Sequence, residues 1–254
     1  MQEAIQKGFK LSMADPKILK EGINAISELI TEANLRIKPQ GLELVSMDPA
    51  NVSMVIFRVS SAAFTEYKAS EEQTIGLNIS NLKQILRRLK ADDLLSMELK
   101  EGMLQIASVG NVTKTFKLPL VELEEKEQKV PDLKFPLSVS LPSSLLIDAI
   151  EDADIVAESV SFAAEAQKFC MTAQGDTSNA NIEILKGENI RIEIEGDAKI
   201  TSKYSIEYLK KMVSGAKLSD TAIIQFGKDY PLKLQFKGEN AGLAFILAPR
   251  VDND

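Results

Sequence analysis

The chain has 254 residues, of which 44% are hydrophobic and 26% charged, and a formal net charge of −7. That length fits one large domain or two medium ones with true cores, and the acid excess excludes a protein that coats nucleic acid with its whole surface, though not a local basic face. A single cysteine, Cys170, rules out an intrachain disulfide or a thiolate metal cluster, and the absence of histidine removes the commonest general base and zinc ligand.

The opening MQEAIQKGFKLSMADP lacks the apolar core of a secretory signal, and no run of about 18 apolar residues is long enough to span a bilayer, so a soluble cytoplasmic protein is expected. The first predicted helix is Pro16–Ala33, with Asp15 as cap, Pro16 in the first turn, and Leu19, Ile23, Ile26 and Ile30 as its buried stripe. Alternating strands follow in GLELVSMD and VSMVIFRV. A second helix is predicted from Asn81 to Lys90, capped by Ser80, and then strands in LLSMELK, MLQIASV and TKTFKLPL. Residues 118–136, LPLVELEEKEQKVPDLKFP, thread acids, lysines and prolines through a few apolar residues and read as a connector. Beyond it come a helix at 143–157, strands near 160–174, 180–185 and 190–195, a helix at 205–214, and strands at 221–226, 232–237 and 242–247. The segments KEGM, KGEN and KGENAG supply hairpin turns.

A constant offset of 127 aligns the two halves. Leu19, Ile23, Ile26 and Ile30 fall on Leu146, Ile150, Ala153 and Ala157; Leu42, Leu44 and Ser46 on Phe169, Met171 and Ala173; Asn81-Leu82-Lys83 on Tyr208-Leu209-Lys210; and Leu95, Met97 and Leu99 on Ala222, Ile224 and Phe226. Identity is low, but the apolar phase is kept in helices and strands alike. The expectation is an α+β fold of two similar domains, 1–117 and 137–254, joined by the connector 118–136, each with two helices packed on antiparallel sheet.

The helices differ in charge. LKQILRRLK (82–90) carries Lys83, Arg87, Arg88 and Lys90 and no acid; 205–217 carries Lys210, Lys211 and Lys217 against Glu207; and Lys17 and Lys20 share a flank of the first helix, apart from Glu21 and Glu28. Helix 143–158 instead has Asp148, Glu151, Asp152, Asp154 and Glu158 and no base. Any one such run is also what a solvated face looks like. If the repeat gives the basic helices equivalent places, they form one surface suited to phosphates without base readout. A basic helix in one half and an acidic one in the other suits head-to-tail association, and contacts of that kind that close give a ring. The sequence has no GxxxxGK[ST] and no GxSxG, and 122-ELEEKE-127 lacks the spacing of a calcium loop. No catalytic residue, metal ligand or cofactor is therefore expected.

Several segments carry a family resemblance: MDPANVSMV (47–55), QTIGLNISNLKQILRR (73–88), TFKLPL (115–120), QFGKDYPLKLQF (225–236) and LAPRV (247–251). In this order and spacing they resemble the proliferating cell nuclear antigen family of sliding clamps, archaeal type, from end to end. The resemblance implies a non-catalytic processivity factor: a trimeric ring around double-stranded DNA that tethers DNA polymerase, flap endonuclease and DNA ligase and is placed by a clamp loader, in the cytoplasm at the nucleoid. It implies DNA-facing Lys17, Lys20, Lys83, Arg87, Lys210, Lys211 and Lys217. It implies subunit joining by strands at about 109–117 and 176–184, with Arg88, Lys90 and Lys114 meeting Asp148, Glu151 and Asp152 of a neighbour. It further implies a pocket for a Gln-x-x-aliphatic-x-x-aromatic-aromatic motif, formed by Val45, Met47, Val130, Pro131, Pro231, Ile246, Ala248 and Pro249. The acidic third helix departs from relatives that keep a base there, which leaves a clamp-like scaffold that does not encircle DNA as the alternative.

Overall fold

The computed structural model describes residues 8–124, 128–196 and 199–250. They form two compact units. The first comprises residues up to Ser46, Phe57–Gln128 and Glu239–Ala241; the second comprises Met47–Ile56, Lys129–Gly238 and the chain from Gly242 onward.

The first half of the chain runs β1 (Lys10–Met13), α1 (Lys17–Ile26), β2 (Glu32–Lys38), β3 (Gly41–Met47), β4 (Ser53–Ser60), β5 (Glu66–Lys68), β6 (Gln73–Asn78), α2 (Ile79–Leu86), β7 (Leu94–Lys100), β8 (Met103–Val109) and β9 (Lys114–Pro119). The division between the units falls inside β4. In the first unit one antiparallel ladder runs β5-β1-β7-β8-β9, and in another β2 pairs with β3 and β6. The second half runs β10 (Leu137–Pro142), α3 (Ser143–Asp154), β11 (Ser159–Glu165), β12 (Lys168–Gln174), β13 (Asn179–Leu185), β14 (Arg191–Ile194), β15 (Ile200–Ser205), α4 (Ile206–Met212), a 3-10 turn (Val213–Leu218), β16 (Thr221–Phe226), β17 (Leu232–Lys237) and β18 (Ala241–Leu247). Its ladders run β14-β10-β16-β17-β18 and β13-β12-β11-β15.

The offset of 127 holds element by element. β2 starts at 32 and β11 at 159, β6 at 73 and β15 at 200, α2 at 79 and α4 at 206, and β7 at 94 and β16 at 221. Strand order repeats as well: β5-β1-β7-β8-β9 becomes β14-β10-β16-β17-β18. The two halves are thus one plan used twice, in an α+β architecture of few helices on antiparallel sheet.

The core of the first unit forms where the helices meet both ladders. Leu19 and Ile23 of α1 and Leu82 and Leu86 of α2 pack with Leu11, Met97 and Leu104 from one ladder and Leu35, Ile37 and Leu42 from the other. Gly22 is buried in α1, where a Cβ would lie 2.4 Å from Cζ of Phe57. In the second unit Phe162 packs edge-on against Phe169, Tyr204 and Phe226, with ring centroids 5.2, 5.5 and 6.0 Å away. Such geometry sets positive ring edges against negative faces.

The helices are shorter than their periodicity predicts. α1 stops at Ile26 rather than Ala33: the turn tightens through Leu29 N bonded to Ile26 O, and from Glu32 the chain is extended. Ala33, Leu35 and Ile37 are buried at period two, a strand signal that overrides the helical spacing of Ile30. α1 begins at Lys17 rather than Pro16, with Pro16 instead of Asp15 at the cap position, although Asp15 accepts a hydrogen bond from Lys17 N at 2.9 Å. α2 begins at Ile79, not Asn81, because Asn78 rather than Ser80 caps it, accepting from Asn81 N at 2.9 Å. It ends at Leu86, not Lys90; α3 ends at Asp154, and α4 gives way to the 3-10 turn after Met212. Strands β1, β2, β5, β6, β10 and β15 were not foreseen from the pattern. β9 and β13, which overlap the segments expected at 109–117 and 176–184 from 114 and from 179 onward, are each outermost in their ladder. Of the connector, 125–127 lie outside the described residues. At its start Val121 N bonds Gly76 O at 2.9 Å, an approach that only glycine permits, since a Cβ on residue 76 would stand 2.0 Å from Val121 O.

Candidate DNA-facing and partner-docking surfaces

The basic side chains lie on the helices and on the turns that follow them, but several already have acidic partners. On the first unit Lys17 is exposed and Lys20 half-buried. Both line a shallow hollow of about 360 Å³ with Asp15, Glu21 and Lys90. Glu21 therefore shares the lysine flank instead of lying apart from it, and Lys90 sits with the α1 lysines. Lys83 Nζ pairs with Glu28 at 2.9 Å, while Arg87 is exposed. On the second unit Lys210 pairs with Asp154 at the end of α3, so one acid of that base-free helix is used within the chain. Lys211 pairs with Glu207 one turn earlier at 2.7 Å, and its ammonium lies 5.5 Å from the Tyr208 ring centroid. Lys217 is exposed on the 3-10 turn.

Arg88, Lys90, Asp148, Glu151 and Asp152 are all exposed. Lys114 Nζ donates to the Arg88 carbonyl at 3.3 Å, which brings β9 to the turn after α2. That turn is shaped by the buried Asp93, which accepts from Ser108 Oγ at 2.5 Å and Lys90 N at 3.1 Å. The Ser108 hydroxyl and the Lys90 amide hold its carboxyl below the ordinary range.

The expected pocket residues separate. Val45 belongs to the first unit, where it lines a hollow of about 470 Å³ with Ala33, Thr74, Leu123 and Gln128. The others belong to the second. There the pairings Leu232↔Leu247 and Lys233↔Ile246 bring Pro231 to the end of β18, beside Ala248 and Pro249. Ala248 N bonds Val52 O at 3.0 Å, which adds Val52 to the group. Met47 is half-buried, Val130 and Pro131 are exposed, and Ile246 is buried at 8% exposure.

The residue the sequence reading missed here is Asp48, which is 4% exposed. Its Oδ1 accepts from Val52 N at 2.7 Å and Ser53 N at 2.6 Å; its Oδ2 accepts from Ala50 N at 3.1 Å and the Tyr208 hydroxyl at 2.9 Å. Burial works against the charge, but the Ser53 amide, the Tyr208 hydroxyl and the other two amides outweigh it and keep the carboxyl below its ordinary range. The Tyr208 hydroxyl is pushed up to about 12 by burial and by Asp48. The signal was present in MDPAN, because aspartate before proline marks a turn whose side chain accepts from amides further on.

Among the described residues no group of acidic or thiol side chains is arranged to hold a metal ion, and no helix is long and apolar enough to cross a membrane. Residues 9–128 match the family described as "Proliferating cell nuclear antigen, N-terminal domain" and 129–251 match its C-terminal domain. The DNA polymerase sliding clamp of Pyrococcus furiosus is 34% identical over 246 residues, covering 96% of this chain and 99% of the relative. That of Methanothermobacter thermautotrophicus is 33% identical over 246 residues, covering 96% and 98%. Among solved structures, the proliferating cellular nuclear antigen of Entamoeba histolytica superposes with a TM-score of 0.90 at 23% identity, covering 96% of this chain and 99% of that one. The corresponding protein of Thermococcus kodakaraensis gives 0.89 at 23% identity, covering 95% and 100%.

Proposed function

The chain belongs to the proliferating cell nuclear antigen family, whose sliding clamps are non-catalytic processivity factors of DNA replication, and on that premise we propose that three copies close into a ring around duplex DNA. The observation that carries this reading is the repeated strand order together with two unlike outermost strands. β9 ends a ladder in the first unit and β13 ends one in the second. Two unlike edges suit head-to-tail pairing, which covers an edge that would otherwise invite aggregation. Arg88, Lys90 and Lys114 of one copy then face Asp148, Glu151 and Asp152 of the next.

Within the ring Lys17, Lys20, Lys83, Arg87, Lys210, Lys211 and Lys217 face DNA. They contact phosphates rather than bases, so binding is independent of sequence and weakens with salt. Met47, Val52, Pro231, Ala248 and Pro249, with Val130, Pro131 and the small exposed part of Ile246, receive the Gln-x-x-aliphatic-x-x-aromatic-aromatic motif of DNA polymerase, flap endonuclease, DNA ligase and the clamp loader. A thioether such as that of Met47 suits a surface that takes several partners. The protein works in the cytoplasm, at the nucleoid.

Two measurements test the reading. The chain expressed alone should sediment at three times its own mass, and the ring should be retained on nicked circular DNA and released when that DNA is linearised. A strict monomer, or retention indifferent to linearisation, overturns it. The pairing of Lys83, Lys210 and Lys211 with acids of their own chain favours one alternative, a clamp-like scaffold that does not encircle DNA. The circular-DNA measurement separates the two.

A further inference from the structure

Tyr208 touches two regions with different assignments. Its ring lies under the Lys211 ammonium, and its hydroxyl donates to Asp48. The other donors to Asp48 are backbone amides two, four and five residues further along the chain. Those three bonds are local and hold the loop in its own shape, with Asn51 at a left-handed φ of 56°. The hydroxyl comes from 160 positions away, and it is the donor of the four that ties this loop to another element, α4.

The loop begins at Met47 and returns at Val52, whose carbonyl accepts from Ala248 N. Its placement therefore sets where Met47 and Val52 stand relative to the end of β18. The repeat offers a comparison. Asn81 occupies the position 127 before Tyr208, on α2, and there the local bond is an N-terminal cap between its own amide and Asn78. The tyrosine is a feature of the second half, where residues 47–56 from the first half of the sequence join the second unit.

We propose that Tyr208 is a positioning residue for partner docking: its hydroxyl pins the loop 47–53 to α4, so that Met47 and Val52 are presented in fixed places beside Ala248. The proposal rests on the docking surface assigned above. Without the hydroxyl the loop keeps its turn but loses its tie to α4. A partner peptide must then order the loop as it binds, and its affinity falls by the population that is out of place.

Tyr208→Phe in the full chain removes one oxygen and keeps the ring. Affinity for a labelled peptide bearing the Gln-x-x-aliphatic-x-x-aromatic-aromatic motif, read by fluorescence polarisation, should fall about five- to tenfold while the oligomer mass is unchanged, less than the full worth of a hydrogen bond to a charged group because the three amides still hold the turn. In a Met47→Ala background the same change should cost measurably less, because one of the two contacts being positioned is already gone. Equal peptide affinity in Tyr208→Phe and the parent, or the same fold-loss in both backgrounds, overturns the proposal. If the parent binds no such peptide, the docking assignment itself fails, and amide exchange decides the pin. Faster exchange at Val52 and Ser53 in Tyr208→Phe supports it, and unchanged protection sinks it.

Discussion

At the scale of single residues, Asp48 is the most consequential side chain outside the apolar core. A buried carboxylate is stable when its acceptor sites are filled, and here four donors fill them. Asp48→Ala leaves three amides and a hydroxyl without their acceptor, and we expect a loss of roughly 2–4 kcal/mol in chemical denaturation. The pH dependence has a definite sign. Because the folded carboxyl is held low, its contribution is complete above the unfolded value of about 3.9 and is lost as pH falls through the lower folded value. The parent should therefore lose more stability than Asp48→Asn between pH 7 and pH 3; equal losses would mean that folding does not lower the Asp48 pKa. Ile246 illustrates a different limit. It is buried, so charging it would unfold the second unit before it reported on any partner. Met47→Lys is the cleaner probe: it should abolish motif-peptide binding and leave the oligomer mass unchanged, and retained affinity would move the docking surface elsewhere.

At the scale of elements, close packing of α1 on the sheet depends on Gly22. A Cβ would stand 2.4 Å from Phe57 Cζ and 2.6 Å from Cε2, inside van der Waals contact, so helix or ring has to shift. Gly22→Val should cost about 1–3 kcal/mol in thermal or denaturant unfolding despite the better helix propensity of a side chain. Stability within about 0.5 kcal/mol of the parent would show that Phe57 has room to move. The sequence disclosed the repeat, the α+β class and most strands of the second half, since those rest on apolar alternation alone. It misplaced helix ends, because Ile30 continues the spacing of Ile23 and Ile26 although the chain has already turned toward β2. The cap at Asn78 was hidden because Ser80 is an equally good capping residue by type. For the candidate surfaces, residue type disclosed the cations, whereas the apolar group near 247–249 came only from the family resemblance. Pairings such as Lys210 with Asp154, 56 positions apart, and Tyr208 with Asp48, 160 apart, are tertiary and leave no local pattern to read.

At the scale of the whole molecule, the proposed ring depends on two unlike edges and on the charges beside them. Exposed ion pairs contribute only about 0–1 kcal/mol each, so paired strands and buried apolar surface supply most of the cohesion, and charge chiefly sets partner and register. The apolar residues at the two edges fit this division: Val109 and Val112 precede β9, and Leu185 closes β13, exposed to 42%, 65% and 64%. The basic turn after α2 is held in place by Asp93 and Lys114 through the main chain of Lys90 and Arg88, not through the side chains of those two residues. Arg88→Glu with Lys90→Glu should therefore leave the fold of each copy intact while setting like charges against Asp148, Glu151 and Asp152 of a neighbour. Repulsion between solvated charges is screened over about 10 Å at 0.1 M salt and about 3 Å at 1 M. The double variant should accordingly sediment as smaller species at low salt and recover much of its trimer at high salt, whereas a salt-independent loss would point to a damaged strand edge instead. A trimer unchanged at every salt concentration would remove these two residues from the interface and leave β9 and β13 to hold the ring without them.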